Sequence, residues 1–384
     1  MCGWPPPEYN ALKKGGIFAD AGEIGVSTSA MRKVMQRVSY DGPAMTDCSA
    51  HFTDFVDSRY VNTANELFDA LSSGSSSVVT PSAYFRGQAD ASWGLTPTAL
   101  RDPSMGGFSA SDKPRSNAEQ KELEIQEIKA FLEGAEIQGL MIPGFGNQSD
   151  VWATIEHALG NVASSPGQGT AQSAWPDAEL VPAIALAQHQ GIRTRLLDWT
   201  ESPLVAAYFA ADSYLSNPGK KHYAAIWIYD HFAETHLPPE RVGGSVSTIT
   251  GVTFIQASKF GNQNMAAQRG IMMVPRLPFG PNDRFIPNLA LEKYMAQKLT
   301  QSVQWQVGTL FRKLTFPTSA AADLLAALRE VGVHGSSLFP GFVGAAKYAI
   351  ETRRLAGHPG TDPAAAPTKI NSALGRWRQL PPVP

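Results

Sequence analysis

Apolar residues recur at helical spacing in several stretches of the chain and bunch into short runs in others. Ala64, Leu67, Phe68 and Leu71 line one face of a short helix predicted over 62–71. Ser116 with Glu119 three positions on reads as a capping box, and Ile125, Ile128, Leu132 and Ala135 continue it as an amphipathic helix. Further helices are predicted over 151–159, over 180–190 with Gly191 as the C-terminal cap, over 203–212, and over 320–330, where Leu324, Leu325, Leu328 and Val331 share a side. Strand-length runs are Val78–Phe85, interrupted by Pro81 and ended by Arg86-Gly87, then 224–229, 252–256, 271–274 and 308–316. Helices come first and short strands with few helices between them follow. This order predicts a mixed α+β domain with N-terminal helices rather than a doubly wound sheet.

The breaks in periodicity divide the chain. Residues 1–54 are rich in Gly, Pro and Ser and read as a loosely structured lead-in. Residues 55–350 form the domain, with a flexible Gly/Ser/Pro/Gln insertion near 160–178. Residues 351–384 form a Pro/Ala-rich tail containing Trp377. There is no internal repeat.

Composition narrows the function. The chain has 384 residues, 43% hydrophobic and 17% charged, against ~25% charged in a typical globular protein. A net charge of −2 provides no global basic field, which argues against a protein that coats nucleic acid by electrostatics alone. Two cysteines, Cys2 and Cys48, exclude a disulfide framework and a four-cysteine zinc site. The eight histidines are scattered and no metal is expected. The start has no apolar run of the signal-peptide kind, and no stretch approaches the ~20 apolar residues of a membrane span, so a cytoplasmic protein without a membrane partner is expected. Standard dinucleotide and triphosphate loops and the hydrolase nucleophile elbow are all absent.

Three clusters carry more polar chemistry than packing needs. In Tyr84-Phe85-Arg86-Gly87-Gln88, an arginine between an aromatic residue and a glycine presents a planar fork suited to phosphate or carboxylate, and Gly87 lets a ligand come close to the backbone. The structural alternative pairs Arg86 with Asp198. Trp93-x-Leu95-x-Pro97 and Arg101 follow this cluster. The second runs from Gln188-His189-Gln190-Gly191 through Thr194-Arg195-Leu196-Leu197-Asp198-Trp199-Thr200-Glu201-Ser202-Pro203. Asp198, flanked by apolar residues, is expected to be partly buried against Arg86, Arg195 or His189. His189 is read either as a helix-end residue or as a general base. The third, Asn264-Met265-Ala266-Ala267-Gln268-Arg269-Gly270, places amides just before a strand, where they serve a ligand edge or the backbone.

Together these segments resemble the FRG domain, a bacterial family named for its Phe-Arg-Gly motif. The resemblance spans roughly 55–350 and ends at Ser337-Leu338-Phe339-Pro340, after which Gly341-Phe342 stand where the family has an acidic residue and a leucine. A more distant similarity joins Tyr84–Gly87, Leu197–Ala210 and Ala267–Met272 to the three sequence regions of arginine-type ADP-ribosyltransferases. It implies an ADP-ribosyltransferase-like, mainly antiparallel sheet and NAD as cofactor. Arg86 would hold the pyrophosphate, and Asp198 and Thr200 would stand at the Ser-Thr-Ser position. Gln268 occupies the place of the catalytic glutamate, so Glu201 or Asp198 would supply the carboxylate. The catalytic candidates are Arg86, Asp198, Thr200, Glu201 and Gln268; the cofactor-binding candidates are Phe85, Gly87, Gln88, His189, Arg195, Trp199 and Asn264. Three readings follow. One is an NAD-using transferase acting on nucleic acid or protein in a toxin or phage-defence setting. Another is a non-catalytic nucleotide- or nucleic-acid-binding module in which Arg86, Arg195 and Arg269 contact phosphate and Trp93 and Trp199 stack on bases. The third is a structural domain with internal ion pairs.

Overall fold

Among the described residues, seven strands form one sheet in the order β1-β9-β4-β2-β3-β8-β7. They are β1 (Asp57–Tyr60), β2 (Ala83–Gln88), β3 (Leu197–Thr200), β4 (Tyr223–Asp230), β7 (Val252–Ile255), β8 (Gly270–Pro275) and β9 (Phe311–Pro317). Two further strands, β5 (Glu240–Val242) and β6 (Ser245–Ser247), pair with each other. Every neighbouring pair in the large sheet is antiparallel except β1 with β9. The computed structural model describes residues 56–72, 82–108, 115–142, 145, 148–163, 175–216, 222–231, 234, 240–242, 245–247, 251–256, 262–276, 284–302 and 310–356.

The described helices are α1 (Ala64–Leu71), α2 (Asn117–Ile137), α3 (Gln148–Ala163), α4 (Val181–His189), α5 (Pro203–Ser216), α6 (Gln263–Ala267), α7 (Leu291–Ser302), α8 (Ala321–Glu330), α9 (Gly335–Leu338) and α10 (Phe342–Leu355). The capping box read from sequence opens α2: Glu119 N–H donates to Ser116 Oγ at 3.1 Å and Ser116 N–H to Glu119 Oε2 at 2.7 Å. None of the described helices is long and apolar enough to cross a membrane.

Alternation along the strands decides what covers each face. Leu197, Trp199, Trp227, Tyr229, Ile271, Met273 and Phe311 point to one face and pack with Leu95, Leu100, Leu291 and Met295. The opposite face carries two separate helical layers. Phe85, Ile226, Ile228, Leu314 and Phe316 lie under α1, α5 and α8. Met272 and Val274 lie under α2, α3 and α4. The line between the layers falls between β2 and β3.

The sheet curls. Phe254 of edge strand β7 reaches Tyr84 and Tyr229 with ring centroids 4.7 and 4.8 Å apart, although three strands separate β7 from β4 in the sheet. On the helical side, α5 presses onto β2. A Cβ at Gly87 would lie 2.0 Å from the Ala206 carbonyl oxygen and 2.7 Å from the Ala210 nitrogen, so only glycine fits.

Several expectations change. Arg86-Gly87 do not end β2: Arg86 and Gly87 pair with Trp227 and Ile226, and the strand runs on to Gln88. The helix predicted over 151–159 extends to Gln148–Ala163. Strand β1 and helices α7 and α10 carry no strong periodicity in the sequence. Helix α10 crosses the domain end expected at 350, burying Glu351 and Leu355. The predicted lead-in, Val78 and Val79, most of the 160–178 insertion and the tail from 357 onward lie outside the described residues.

Candidate functional site

Strands β2 and β4 pair along the whole of β2, and β3 pairs with β8 along the whole of β3. Between β2 and β3 the register holds at one position, Phe85 with Thr200. The sheet is therefore notched at its centre, with the C-terminal half of β2 facing the N-terminal half of β3 without a ladder. Antiparallel neighbours satisfy one another's backbone groups, so a notch leaves polar groups for side chains or a ligand to meet.

Arg86 bridges the notch. It shares the face of Tyr84 and Gln88, and its Nη1 donates to the Asp198 carbonyl oxygen at 2.6 Å. That is its one hydrogen bond to the described residues, and Nε is enclosed with no acceptor. Burial pulls the guanidinium below the usual arginine range; the Asp198 carboxylate opposes this, and Arg101 adds to it by repulsion. A charge taken from water without a bonded counter-ion is costly, and such an arginine is suited to an anionic ligand.

Asp198 points to the opposite face, between the two helical layers. It is exposed, which corrects the expectation of a partly buried carboxylate. Gln188 Nε2, at the end of α4, donates to Asp198 Oδ1 at 2.6 Å. Thr194 Oγ1 donates to Gln188 Oε1, fixing which end of the amide faces the carboxylate. Next to Gln188, His189 is half-buried and its Nε2 is enclosed without a partner. An exposed carboxylate on an inner strand, at the boundary of two packed layers, is placed to meet a ligand.

The third cluster closes the other end of β3. Thr200 Oγ1 donates to the Gln268 carbonyl oxygen at 2.7 Å and accepts from Ser202 N–H at 3.0 Å. Glu201 N–H donates to the Arg269 carbonyl oxygen at 3.1 Å, and the Glu201 side chain is exposed. Arg269 takes a left-handed turn conformation (φ 46°) between α6 and β8. Gln268 spends its side-chain N–H on the Leu338 carbonyl oxygen at 3.1 Å. Asn264 lies in α6 and its carbonyl accepts Gln268 N–H at 2.9 Å. The segments around Phe85–Gln88, Gln188–Thr200 and Asn264–Gly270 thus meet around β3.

Three candidates serve the fold alone, and a fourth, Trp199, is buried with them. Arg195 is 1% exposed and pairs bidentately with buried Glu124, at 2.6 and 2.7 Å, which removes it from both Asp198 and any ligand. Glu124 also accepts from Trp175 Nε1 and Gln120 Nε2, both at 2.8 Å. Trp199 is 2% exposed, so its ring has no free face for a base, although its Nε1 is enclosed without an acceptor. Gln88 is buried between the Trp227 indole N–H (2.8 Å) and the Gly94 carbonyl (3.3 Å). Gly87 faces α5 rather than a ligand. Sequence reasoning left Glu124 unremarked, because one glutamate among several on a long helix carries no signal of its buried partner. Among the described residues no group of His, Cys, Asp and Glu is arranged to hold a metal ion.

The FRG domain family model matches residues 81–218, a shorter span than the 55–350 expected. The match covers β2, β3 and α2 to α5, and with them Arg86, Gln188 and Asp198, and leaves Asn264–Gly270 outside. No curated protein and no solved structure matches the chain. Residues 81–218 of this chain, which build the notch and its arginine bridge, are the part that matches the FRG domain family model.

Proposed function

We propose that the notch between β2 and β3 binds a phosphate-bearing nucleotide, and that the nucleotide is NAD, used as an ADP-ribosyl donor toward nucleic acid or protein. The observation that carries this reading is Arg86: a half-buried guanidinium, enclosed at Nε and bonded to a single backbone carbonyl, with the exposed Asp198 carboxylate on the other face of the same notch. Arg86 takes the pyrophosphate. Asp198, oriented by Gln188 and Thr194, supplies the negative charge that stabilises the oxocarbenium ion as the glycosidic bond to nicotinamide breaks. Glu201, exposed at the start of α5, is the other carboxylate at the site. The buried Trp199 and the net charge of −2 weigh against a surface that stacks on or coats nucleic acid.

A second reading, binding without turnover, is favoured by Gln268. An amide stands where a transferase needs a carboxylate, and its N–H is already bonded to Leu338. Incubating the full chain with NAD labelled in the adenylate moiety, alone and with pooled RNA, DNA and protein, separates the two. Release of nicotinamide with label on a macromolecule supports transfer. Saturable binding without nicotinamide release supports the second reading, and absence of NAD binding removes both.

A further inference from the structure

The segment between β2 and α2 returns a second arginine to the notch. Leu95 and Leu100 are buried on the same face of the sheet as Tyr84 and Trp199. The segment is pinned from both sides of the divide. Gln88 of β2 donates to the Gly94 carbonyl at 3.3 Å, and Ala99 N–H donates to the carbonyl of Thr194, just before β3, at 3.0 Å. Leu95 N–H meets Glu292 Oε2 at 2.9 Å, and the Ala99 carbonyl accepts Gln120 Nε2 at 2.8 Å. This lattice of bonds fixes the segment that carries Arg101, whose charge reaches Arg86 and opposes the charged form of its guanidinium.

The two arginines are alike. Arg101 donates from Nε to its neighbour Thr96 O at 3.1 Å, and burial pulls its guanidinium below the usual range. Among the described residues neither guanidinium forms an ion pair or bonds a carboxylate. Two partly desolvated cations that repel each other are unfavourable in the free protein, and the fold holds them together regardless. A third donor lies next to them. The register Phe85–Thr200 makes Trp199 the neighbour of Arg86 on the same face, and the Trp199 indole N–H is enclosed with no acceptor. Buried donors without partners mark places where an acceptor is missing.

We infer that Arg86 and Arg101 form a two-guanidinium clamp for a diphosphate ester, with the Trp199 indole N–H as a neighbouring donor. Two fixed positive charges match the two charges of a diphosphate bridge better than the single charge of a carboxylate, and planar forks suit adjacent phosphoryl oxygens. The inference rests on the proposed nucleotide site and names the part of the nucleotide that is held there.

The test is calorimetric titration of the full chain with inorganic pyrophosphate, orthophosphate, ADP and NAD, on wild type, Arg101→Gln, Arg101→Lys and Arg86→Lys, with melting curves for each. Wild type should bind pyrophosphate and ADP roughly tenfold or more tightly than orthophosphate, and Arg101→Gln should erase that preference by losing one charge-assisted contact. Arg101→Lys, which keeps the charge and loses the fork, should fall between them. If Arg101→Gln melts early, Arg101→Lys decides: an unchanged pyrophosphate preference in a folded Lys variant overturns the clamp. So does a wild type that binds neither pyrophosphate nor ADP. Pyrophosphate and ADP binding without NAD binding keeps the clamp and removes NAD. NAD binding unaffected by Arg101→Gln keeps NAD and removes the clamp.

Discussion

Arg86 shows what one side chain reveals from the sequence and what it hides. Its fork and its neighbouring glycine are legible, and so is its tie to Asp198. The atom it binds is not: the Asp198 carbonyl accepts, while the Asp198 carboxylate turns to the other face and bonds Gln188. Strand alternation decides this, and alternation requires knowing that Leu197 and Trp199 are the buried pair. Arg86→Lys should therefore weaken NAD or ADP binding by about tenfold or more while melting stays within a few degrees of wild type, because lysine keeps the charge and loses the planar fork. Calorimetry and melting on the same preparation check both halves. Under the transferase reading, Asp198→Asn should slow nicotinamide release by roughly a hundredfold or more. Since Asp198 is exposed, this change should leave the fold intact, so the loss is chemical. Gln268→Glu should leave release similar or raise it. An Asp198→Asn protein that releases nicotinamide at the wild-type rate would shift the role to Glu201.

At the scale of elements, the contact between β2 and α5 positions the notch. Alanine and aromatic density over Pro203–Asp212 identifies α5 from sequence, and the small residues Ala206, Ala207 and Ala210 let it lie close to the sheet. The partner of that close approach, Gly87, reads equally well as a ligand-facing glycine when only the chain is seen. The distance to the Ala206 carbonyl decides in favour of the helix. Gly87→Ala drives a Cβ into backbone rather than into a movable side chain, and should cost about 1–3 kcal/mol or more, read as a lower urea midpoint. Ser116→Ala removes a half-buried N-cap from α2 and should cost about 0.5–2 kcal/mol, with no change in ligand affinity. Elements without a clear period were the ones the sequence hid. Strand β1 is four residues long and exposed throughout, so no alternation marks it. Helix α10 buries only Gly344, Glu351 and Leu355 along its length, too few positions for a hydrophobic stripe.

Across the whole molecule, two half-sheets with separate helical layers meet at one backbone pairing, and what keeps them in register is the shared core on the other face. Within the half that carries β3, the Glu124–Arg195 pair fixes α2 to the segment entering β3, and the segment also supplies Thr194 to Gln188 and to Ala99. Both partners are buried, and Glu124 is the acceptor for Trp175 and Gln120 as well. Removing one charge leaves the other buried and unpaired. Glu124→Gln should therefore cost about 3–5 kcal/mol, and on a domain of this size lower the melting temperature by on the order of 10 °C. Combining it with Arg195→Met removes the stranded guanidinium while the amide oxygen left at 124 still accepts the Trp175 N–H, so most of that loss should be recovered. Nucleotide affinity per folded molecule should then match wild type, because Arg195 never reaches the notch. A double variant that melts like wild type but no longer binds nucleotide would return Arg195 to the ligand site, against its present placement beside Glu124.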